Sequence, residues 1–457
     1  MTTTAAETAT QTSPGAPSPT PVRMSLWEAF EHAQILQRNE KYDVAESIYQ
    51  EILQQIPDEP NTVNFLGVLR HQQGRGDEAV ELLRRAVELL PNEPGPLVNL
   101  GNVLIERERF DEAADALRRA LDLKPESAAM IYNNFGIACM RCGDLRAEPA
   151  FLEALALEPE RADVHFNYAR LLYQTGRFRE SAAHSIRALT TDPTLASSRK
   201  LLSMSYFVLG ENEKAIENLM AWKALEPDNP EVDHHLAACG QASVPGRASD
   251  DYVQHVFDGF AASFDKKLQL LGYRAPQLIG DALAAVASRV PPGAVILDAG
   301  CGTGLCGPLL RPHAGRLDGV DLSAGMLTRA KAHPEYDALH QAELTAFLQE
   351  RPGTYDVVVS ADTLCYFGDL SGFLAAAHRS LRGAGLLVFS LEALMEEGKD
   401  FQLHIHGRYS HAKAYVLAQL ASHGFALVSI DQQVLRQELI ESVQGWIVTA
   451  QRLATVE

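Results

Sequence analysis

No stretch of eighteen apolar residues occurs in the 457-residue chain, so no segment reads as a membrane-spanning helix. Dense lysine or arginine runs are also missing. With 40 basic against 59 acidic side chains and a formal charge of −19, the chain repels phosphate backbones, which disfavours nucleic acid as a partner. Six cysteines are too few for a disulfide scaffold at this length and suit a reducing compartment. The first residues, "MTTTAAETATQTSPGAPSPTPVR", lack the charged start and apolar core of a secretory signal, and they read as a disordered tail over 1–24. A cytoplasmic location is expected. Apolar material is plentiful: 46% of residues are hydrophobic and 22% charged, enough for two or three domains.

Prolines stand at Pro57, Pro91, Pro125, Pro159, Pro193 and Pro227, each 34 residues after the last. Small residues keep the same beat to within one residue. Ala33, Gly67, Gly101, Gly136, Ala169 and Ser203 recur in the first helix of each unit, and Ala45, Ala79, Ala113 and Ala215 in the second. Small residues let paired helices approach closely, and the proline ends the second helix because it has no N–H and clashes with the preceding turn. This pattern resembles the tetratricopeptide repeat, which implies an all-α superhelix of six repeats over 26–229. A stack is needed because one pair cannot bury its apolar face alone.

The fourth repeat departs from the pattern, with Pro149 expected inside its second helix and a kink there. "CMRC", Cys139 to Cys142, lies in the same repeat; without a second pair nearby, packing outweighs a redox or zinc role. "PEVDHHLAACG" reads as a capping helix, whose adjacent His234 and His235 point apart and so do not share a metal. The expected division is repeats and cap over 25–240, a linker over 241–249 and a second domain over 250–457.

From residue 250 short apolar runs alternate with helical stretches. "GAVILDAG", "RLDGVDLS", "YDALHQAE", "YDVVVSAD" and "GLLVFSLE" predict a parallel, doubly wound sheet. "FALVSIDQQV" and "GWIVTAQRL" follow without a helix between them and predict an antiparallel pair at one edge.

The string "LDAGCGTGLCG", 297–307, sits at the end of the first strand, where open α/β sheets bind ligands. Gly302, Gly304 and Gly307 spell the dinucleotide pattern G-x-G-x-x-G, and Asp321 ends the next strand at a distance suited to ribose. An oxidoreductase using a nicotinamide cofactor is therefore one reading. Asp298 argues against it, because a carboxylate beside the loop repels a pyrophosphate and suits a cationic ligand. A metal reading fails for want of partners to Cys301 and Cys306. The stretch resembles the first motif of class I S-adenosylmethionine-dependent methyltransferases. That resemblance implies a Rossmann-like seven-stranded sheet with an antiparallel last strand and S-adenosylmethionine as methyl donor.

Carried over by position, the resemblance implies that Asp298, Gly300, Gly302 and Gly304 approach the donor's methionyl part and that Asp321, with Leu322, holds its ribose and adenine. Glu343 and Leu344 match the adenine position, with helix capping an equal alternative for Glu343. Ser360 and Ala361 match the position beside the reacting methyl. "HVFDGFAASFDKKLQLLGYRAP" resembles the lead-in of bacterial methyltransferases fused to tetratricopeptide repeats, similar to the trans-aconitate and small-molecule type. It offers Phe257, Phe260, Phe264 and Tyr273 as a lid, with core packing expected for two of the three phenylalanines, and Arg274 for the donor's carboxylate.

Further on, "HIHGRYSHAKAY" gathers His404, His406, Arg408, Tyr409 and His411. Substrate contact by His404, His406 and Arg408 is preferred to metal, with a surface loop as a third reading. His411, Tyr409, Asp362 and Tyr366 are the candidate bases for a hydroxyl or amine acceptor, while a carboxylate acceptor would need only Arg408. The expectation is a methyltransferase whose repeats bind a protein or peptide partner or recruit substrate. The alternative is an interaction scaffold with a ligand-binding but non-catalytic second domain.

Overall fold

The computed structural model describes residues 25–261, 264–438 and 441–453, and the tail expected over 1–24 lies outside them. The chain divides into two compact units, Met1–Pro159 and Glu160–Glu457. The first holds four helix pairs: α1 (Leu26–Arg38) with α2 (Tyr42–Gln55), α3 (Pro60–Gln72) with α4 (Gly76–Leu89), α5 (Pro94–Glu106) with α6 (Phe110–Asp122), and α7 (Ala129–Cys142) with α8 (Ala147–Leu157).

The small residues act where the period put them. A Cβ on Gly67 would stand 2.8 Å from Leu83, on Gly101 2.5 Å from Leu117, and on Gly136 2.7 Å from Phe151. Helices α3, α5 and α7 thus each seat a glycine on a fully buried side chain of the paired second helix, and those partners repeat at the same 34-residue spacing. The kink expected at Pro149 is corrected by the helix start. Pro149 is the third residue of α8, inside the first turn, where an N–H has no acceptor to lose, so the helix begins late instead of bending. Both cysteines of "CMRC" are free thiols: Cys139 is buried in the repeat, while Cys142 is exposed and directs its Sγ to the Cys139 carbonyl at 3.5 Å.

The second unit starts with two more pairs, α9 (Ala162–Gln174) with α10 (Phe178–Thr191) and α11 (Ala196–Val208) with α12 (Asn212–Leu225), and the cap α13 (Pro230–Ala238). Lead-in helices follow: α14 (Asp250–Phe260), α15 (Phe264–Leu270) and α16 (Ala275–Ala285). Nine strands then form one sheet among the described residues: β1 (Val295–Ala299), β2 (Arg316–Asp321), β3 (Ala338–Gln341), β4 (Tyr355–Ser360), β5 (Leu381–Ala393), β6 (Phe401–Leu403), β7 (Tyr409–His411), β8 (Phe425–Glu438) and β9 (Glu441–Arg452). The intervening helices are α17 (Gly307–Leu310), α18 (Ala324–Ala330), α19 (Leu344–Gln349), α20 (Ser371–Ser380) and α21 (Lys413–Ser422).

Strands β3, β2, β1, β4 and β5 are parallel in that order, β9 runs antiparallel beside β5, and β8 pairs with β9. This is the expected set of seven. Alternation along the strands splits the core: Leu297, Val358, Leu387 and Phe389 pack on one face, while Ile296, Val357, Val359 and Val388 pack on the other against α16 and α17.

The two further strands come from the histidine-rich insert. Glu392 of β5 pairs with Gly445 of β9 on one edge and with Ser410 of β7 on the other, whereas β4 stops at Ser360 opposite Phe389. The β6–β7 hairpin therefore continues the sheet beyond the carboxyl end of β4. That brings the insert to the ligand-binding edge.

Candidate functional site

A cavity of about 290 Å³ opens at the carboxyl ends of β1, β2 and β4. The glycine loop forms one wall, and its glycines serve different ends. Gly300 has φ +81°, and a Cβ there would fall 2.1 Å from Thr363 Oγ1, so it is a packing position. Gly302 has φ +54°, lines the cavity, and a Cβ would meet nothing within 4 Å. Its missing side chain leaves room for a ligand. Gly304 packs against His333 and Tyr336 and does not line the cavity.

Asp298 needs correcting. It is fully buried at the end of β1 and absent from the cavity wall; its Oδ2 accepts a 2.6 Å hydrogen bond from the Tyr336 hydroxyl, and its Oδ1 has no partner. Burial pushes its pKa up to about 7. A carboxyl so placed is a poor source of repulsion against a pyrophosphate. Tyr336, which also packs under Gly307 and Gly319, went unseen in the sequence because nothing in "HPEYDALH" marks it.

The acidic charge on the wall comes instead from Asp321. Its Oδ2 accepts from the Gly302 N–H and its Oδ1 from the Ser323 N–H, both at 2.9 Å, which fixes the carboxylate between two loops. Burial raises its pKa, against the pull of those backbone donors. Leu322, Glu343, Leu344 and Ala361 stand on the same cavity. Glu343 caps α19 as well, accepting from Thr345 N at 3.0 Å and Ala346 N at 2.7 Å, so both of its roles coexist. Ser360 is buried and ties strands together through the Ala299 carbonyl at 2.8 Å. Arg274 is exposed at the start of α16 and does not reach the cavity, whereas its neighbour Tyr273 lines it.

The lead-in helices close the cavity. Phe257 and Phe264 line it and meet edge to face at 6.0 Å; the side chain of Phe260 lies outside the described residues. Two carboxylates hold these helices down: Asp265 accepts from Thr303 Oγ1 at 2.5 Å, and Asp258 accepts from Ser323 Oγ at 2.5 Å and Gly325 N at 3.2 Å. The segment read as a linker is also bound to the wall. Ala248 N donates to the Tyr366 carbonyl at 2.8 Å, the Gly246 carbonyl accepts from Gly368 N and Asp369 N, and Arg247 and Ala248 line the cavity.

The opposite wall carries charge. Arg436 of β8, 2% exposed, donates through Nε to Glu438 at 2.7 Å, through Nη1 to both oxygens of Asp362 at 3.1 and 3.2 Å, and through Nη2 to Glu392. Arg408 donates through Nε to Glu392 at 2.6 Å and through Nη2 to Glu438. Burial opposes it, yet Arg408 and then Arg436 hold the Glu392 carboxyl down to about 2. Asp362 and Tyr366 line the cavity here. Arg436, Glu392 and Glu438 were missed from sequence; the only trace is a pair of charged residues at i, i+2 on one face of a strand. Asp362, Cys365 and Glu392 bring donor atoms within 4.8 Å of one another, but both of these carboxylates already pair with the Arg436 guanidinium.

The remaining insert residues are off the cavity. Tyr409 is buried and donates to the Pro245 carbonyl at 2.8 Å. His411 is fully buried, its Nε2 3.1 Å from the Gly368 carbonyl, and burial lowers its pKa to about 4. Neither touches the space where an acceptor's proton could be taken, which corrects their candidacy as bases. His404 meets Ser410 Oγ at 2.7 Å and stacks on His406 at 5.1 Å, and neither lines the cavity. Of the three expected substrate contacts only Arg408 is on the wall, and with Nε and Nη2 engaged it offers no two-point fork.

Comparison with known proteins agrees with this architecture. A methyltransferase-domain family model matches residues 297–389, and tetratricopeptide-repeat models match 58–126 and 145–196. The chain joins tetratricopeptide repeats to a methyltransferase domain. The methyltransferase domain is similar to methyltransferase-like protein 27 of Homo sapiens, 39% identical over 112 residues, or 24% of this chain and 46% of that one. It is also similar to malonyl-[acyl-carrier protein] O-methyltransferases of Hamiltonella defensa, 32% identical over 156 residues (34% and 52%), and Priestia megaterium, 32% over 153 residues (32% and 53%). The chain spans about half the length of these relatives. No described helix is long and apolar enough to cross a membrane.

Proposed function

We propose that the protein is an S-adenosylmethionine-dependent methyltransferase whose repeats recruit a protein partner or the substrate itself. The observation that carries this reading is the cavity wall made of Gly302, Asp321, Leu322, Glu343, Leu344 and Ala361 at the carboxyl ends of the strands. Around the whole cavity stand the carboxylates of Asp250, Asp321, Glu343, Asp362 and Glu438 against the guanidiniums of Arg247, Arg408 and Arg436. That excess of negative charge disfavours a pyrophosphate and favours a ligand carrying sulfonium and ammonium groups.

The residues fit the donor. Gly302 leaves open space at its Cβ position, Asp321 presents a carboxylate already fixed by two N–H donors, and Phe257 and Phe264 cover the cavity from the lead-in helices. When bound, the donor supplies an activated methyl group; the chain holds the reactants together and excludes water, which is where most of the rate of such a transfer arises. The O-methyltransferase names of two relatives support oxygen among the candidate acceptor atoms.

Calorimetry tests the reading. The full-length chain is expected to bind S-adenosylmethionine and S-adenosylhomocysteine, and Asp321→Ala to weaken both. Absence of binding at near-millimolar ligand would overturn it. Release of S-adenosylhomocysteine from donor in the presence of cell extract separates an enzyme from a scaffold, which would release none.

A further inference from the structure

The charged wall limits what can be methylated beside it. All three nitrogens of Arg436 and two of Arg408 are spent on Asp362, Glu392 and Glu438; of these two guanidiniums' six nitrogens, Arg408 Nη1 alone has no partner among the described residues. A carboxylate or phosphate is held well by a guanidinium fork, and neither Arg408 nor Arg436 offers one on this wall, while Arg247 already carries Asp250 on its Nη1. An added anion would set four negative charges against two positive ones away from water, which is strongly unfavourable. Meanwhile two neutral groups are unused. Tyr273 and Tyr366 line the cavity, their hydroxyls have no hydrogen-bond partner among the described residues, and burial pushes both pKa values up, so they remain protonated. The rest of this end is apolar, built from Val253, Val256, Phe257, Phe264 and Leu268.

We infer that the acceptor carries an uncharged hydroxyl or amine on an apolar body, and that Asp362 receives its proton. The inference rests on the donor reading above.

Asp362 is singled out from the other cavity carboxylates by its bonds. Asp321 and Glu343 each have both oxygens on backbone N–H groups, Asp250 pairs with Arg247, and Glu438 is shared by two guanidiniums. Asp362 is held by one nitrogen only, at 3.1 and 3.2 Å, longer than the roughly 2.7–2.9 Å of a strong charge-assisted bond. Its backbone is left-handed at φ +53°, and its N–H is pinned by Ser390 Oγ at 2.8 Å. A non-glycine residue in that region is strained, and such strain collects at functional positions. With two guanidiniums for three carboxylates, Asp362 is the odd one: burial raises its pKa while those of Glu392 and Glu438 are lowered.

The acceptor's oxygen or nitrogen bonds to the methyl carbon as the carbon–sulfur bond breaks. That bond's electron pair stays on sulfur, which becomes the neutral thioether, and the acceptor's proton goes to the Asp362 carboxylate.

The test uses the full-length chain, methyl-labelled donor and cell extract, with the labelled product treated with alkali. Methyl ethers and methylamines survive; carboxyl methyl esters release methanol. Alkali-stable label is expected, falling at least about 100-fold in Asp362→Asn, the scale of a lost general base. Asparagine tolerates the positive φ, so the variant is expected to fold and to bind S-adenosylhomocysteine within about twofold of the parent. Label lost mainly as methanol, full turnover by Asp362→Asn, or no labelled product from a chain that binds S-adenosylhomocysteine would each overturn the inference. A chain that does not bind S-adenosylhomocysteine overturns the donor reading beneath it.

Discussion

The two walls of the cavity are built on different plans. The glycine-loop wall is nearly contiguous: Gly300, Gly302 and Thr303 follow one strand and Asp321 and Leu322 end the next, so backbone geometry does most of the shaping. The charged wall brings Asp362, Glu392, Arg408, Arg436 and Glu438 from β4's end, β5, the insert hairpin and β8. One wall is a local consequence of a turn, while the other exists only once distant strands have paired. They differ in electrostatic sign of strain too, since Asp298 behind the loop is a lone buried acid and Glu392 is a buried acid held by two cations.

Removing a cation should break the charged wall hardest. Arg436→Met leaves three carboxylates with Arg408 alone and is expected to cost about 3–5 kcal/mol of stability in urea unfolding at neutral pH, against at most about 1 kcal/mol for an exposed pair. The pH dependence of the two walls should run in opposite directions. Asp298, raised to about 7 when folded, contributes most stability below its ordinary value near 4, and that contribution is lost as pH rises through 7. Asp298→Asn should therefore gain on the order of 2–4 kcal/mol at pH 8 and little at pH 4, compared by urea unfolding. Glu392, lowered to about 2, contributes above its ordinary 4.5 and loses that contribution as pH falls towards 2.

Within the glycine loop, two substitutions separate packing from ligand space. Gly300→Ala is expected to cost about 3 kcal/mol, because its Cβ meets Thr363 and its φ is positive. Gly302→Ala should cost only about 1–2 kcal/mol for its backbone but should weaken S-adenosylhomocysteine binding in calorimetry, since its Cβ enters the cavity. The smallest expected effect is Asp321→Asn, about tenfold in donor affinity or about 1.4 kcal/mol, with the fold intact by circular dichroism.

Much of the fold was legible because it repeats or alternates. Gly67, Gly101 and Gly136 could be read as helix-crossing positions from the period together with its resemblance to the tetratricopeptide repeat, and the strands from apolar runs bounded by turn residues. Pro149 was misread because a proline's effect depends on where the helix starts, which the neighbouring turn decides. In the site, Gly302, Asp321, Glu343 and Asp362 were found and do line the cavity. Tyr409 and His411 looked reactive in a string of polar residues, yet strand β7 turns them into the core. Residues 245–248, taken for a connector by their small and polar make-up, are hydrogen-bonded into the wall, a fact fixed by partners more than a hundred residues away.

Local pattern along the chain was enough to give the period of 34, the order of the seven main strands, and the turn that leaves space beside Asp321. Each depends on residues close together in the chain, where steric and hydrogen-bonding preferences act locally. That Asp298 is sealed behind Tyr336, that the insert contributes a single guanidinium to the cavity, and that Asp362 is the carboxylate left over emerged with the folded arrangement. Those outcomes depend on burial and on long-range pairing of charge, and a side chain's charge state and reach are set by the groups that surround it in space.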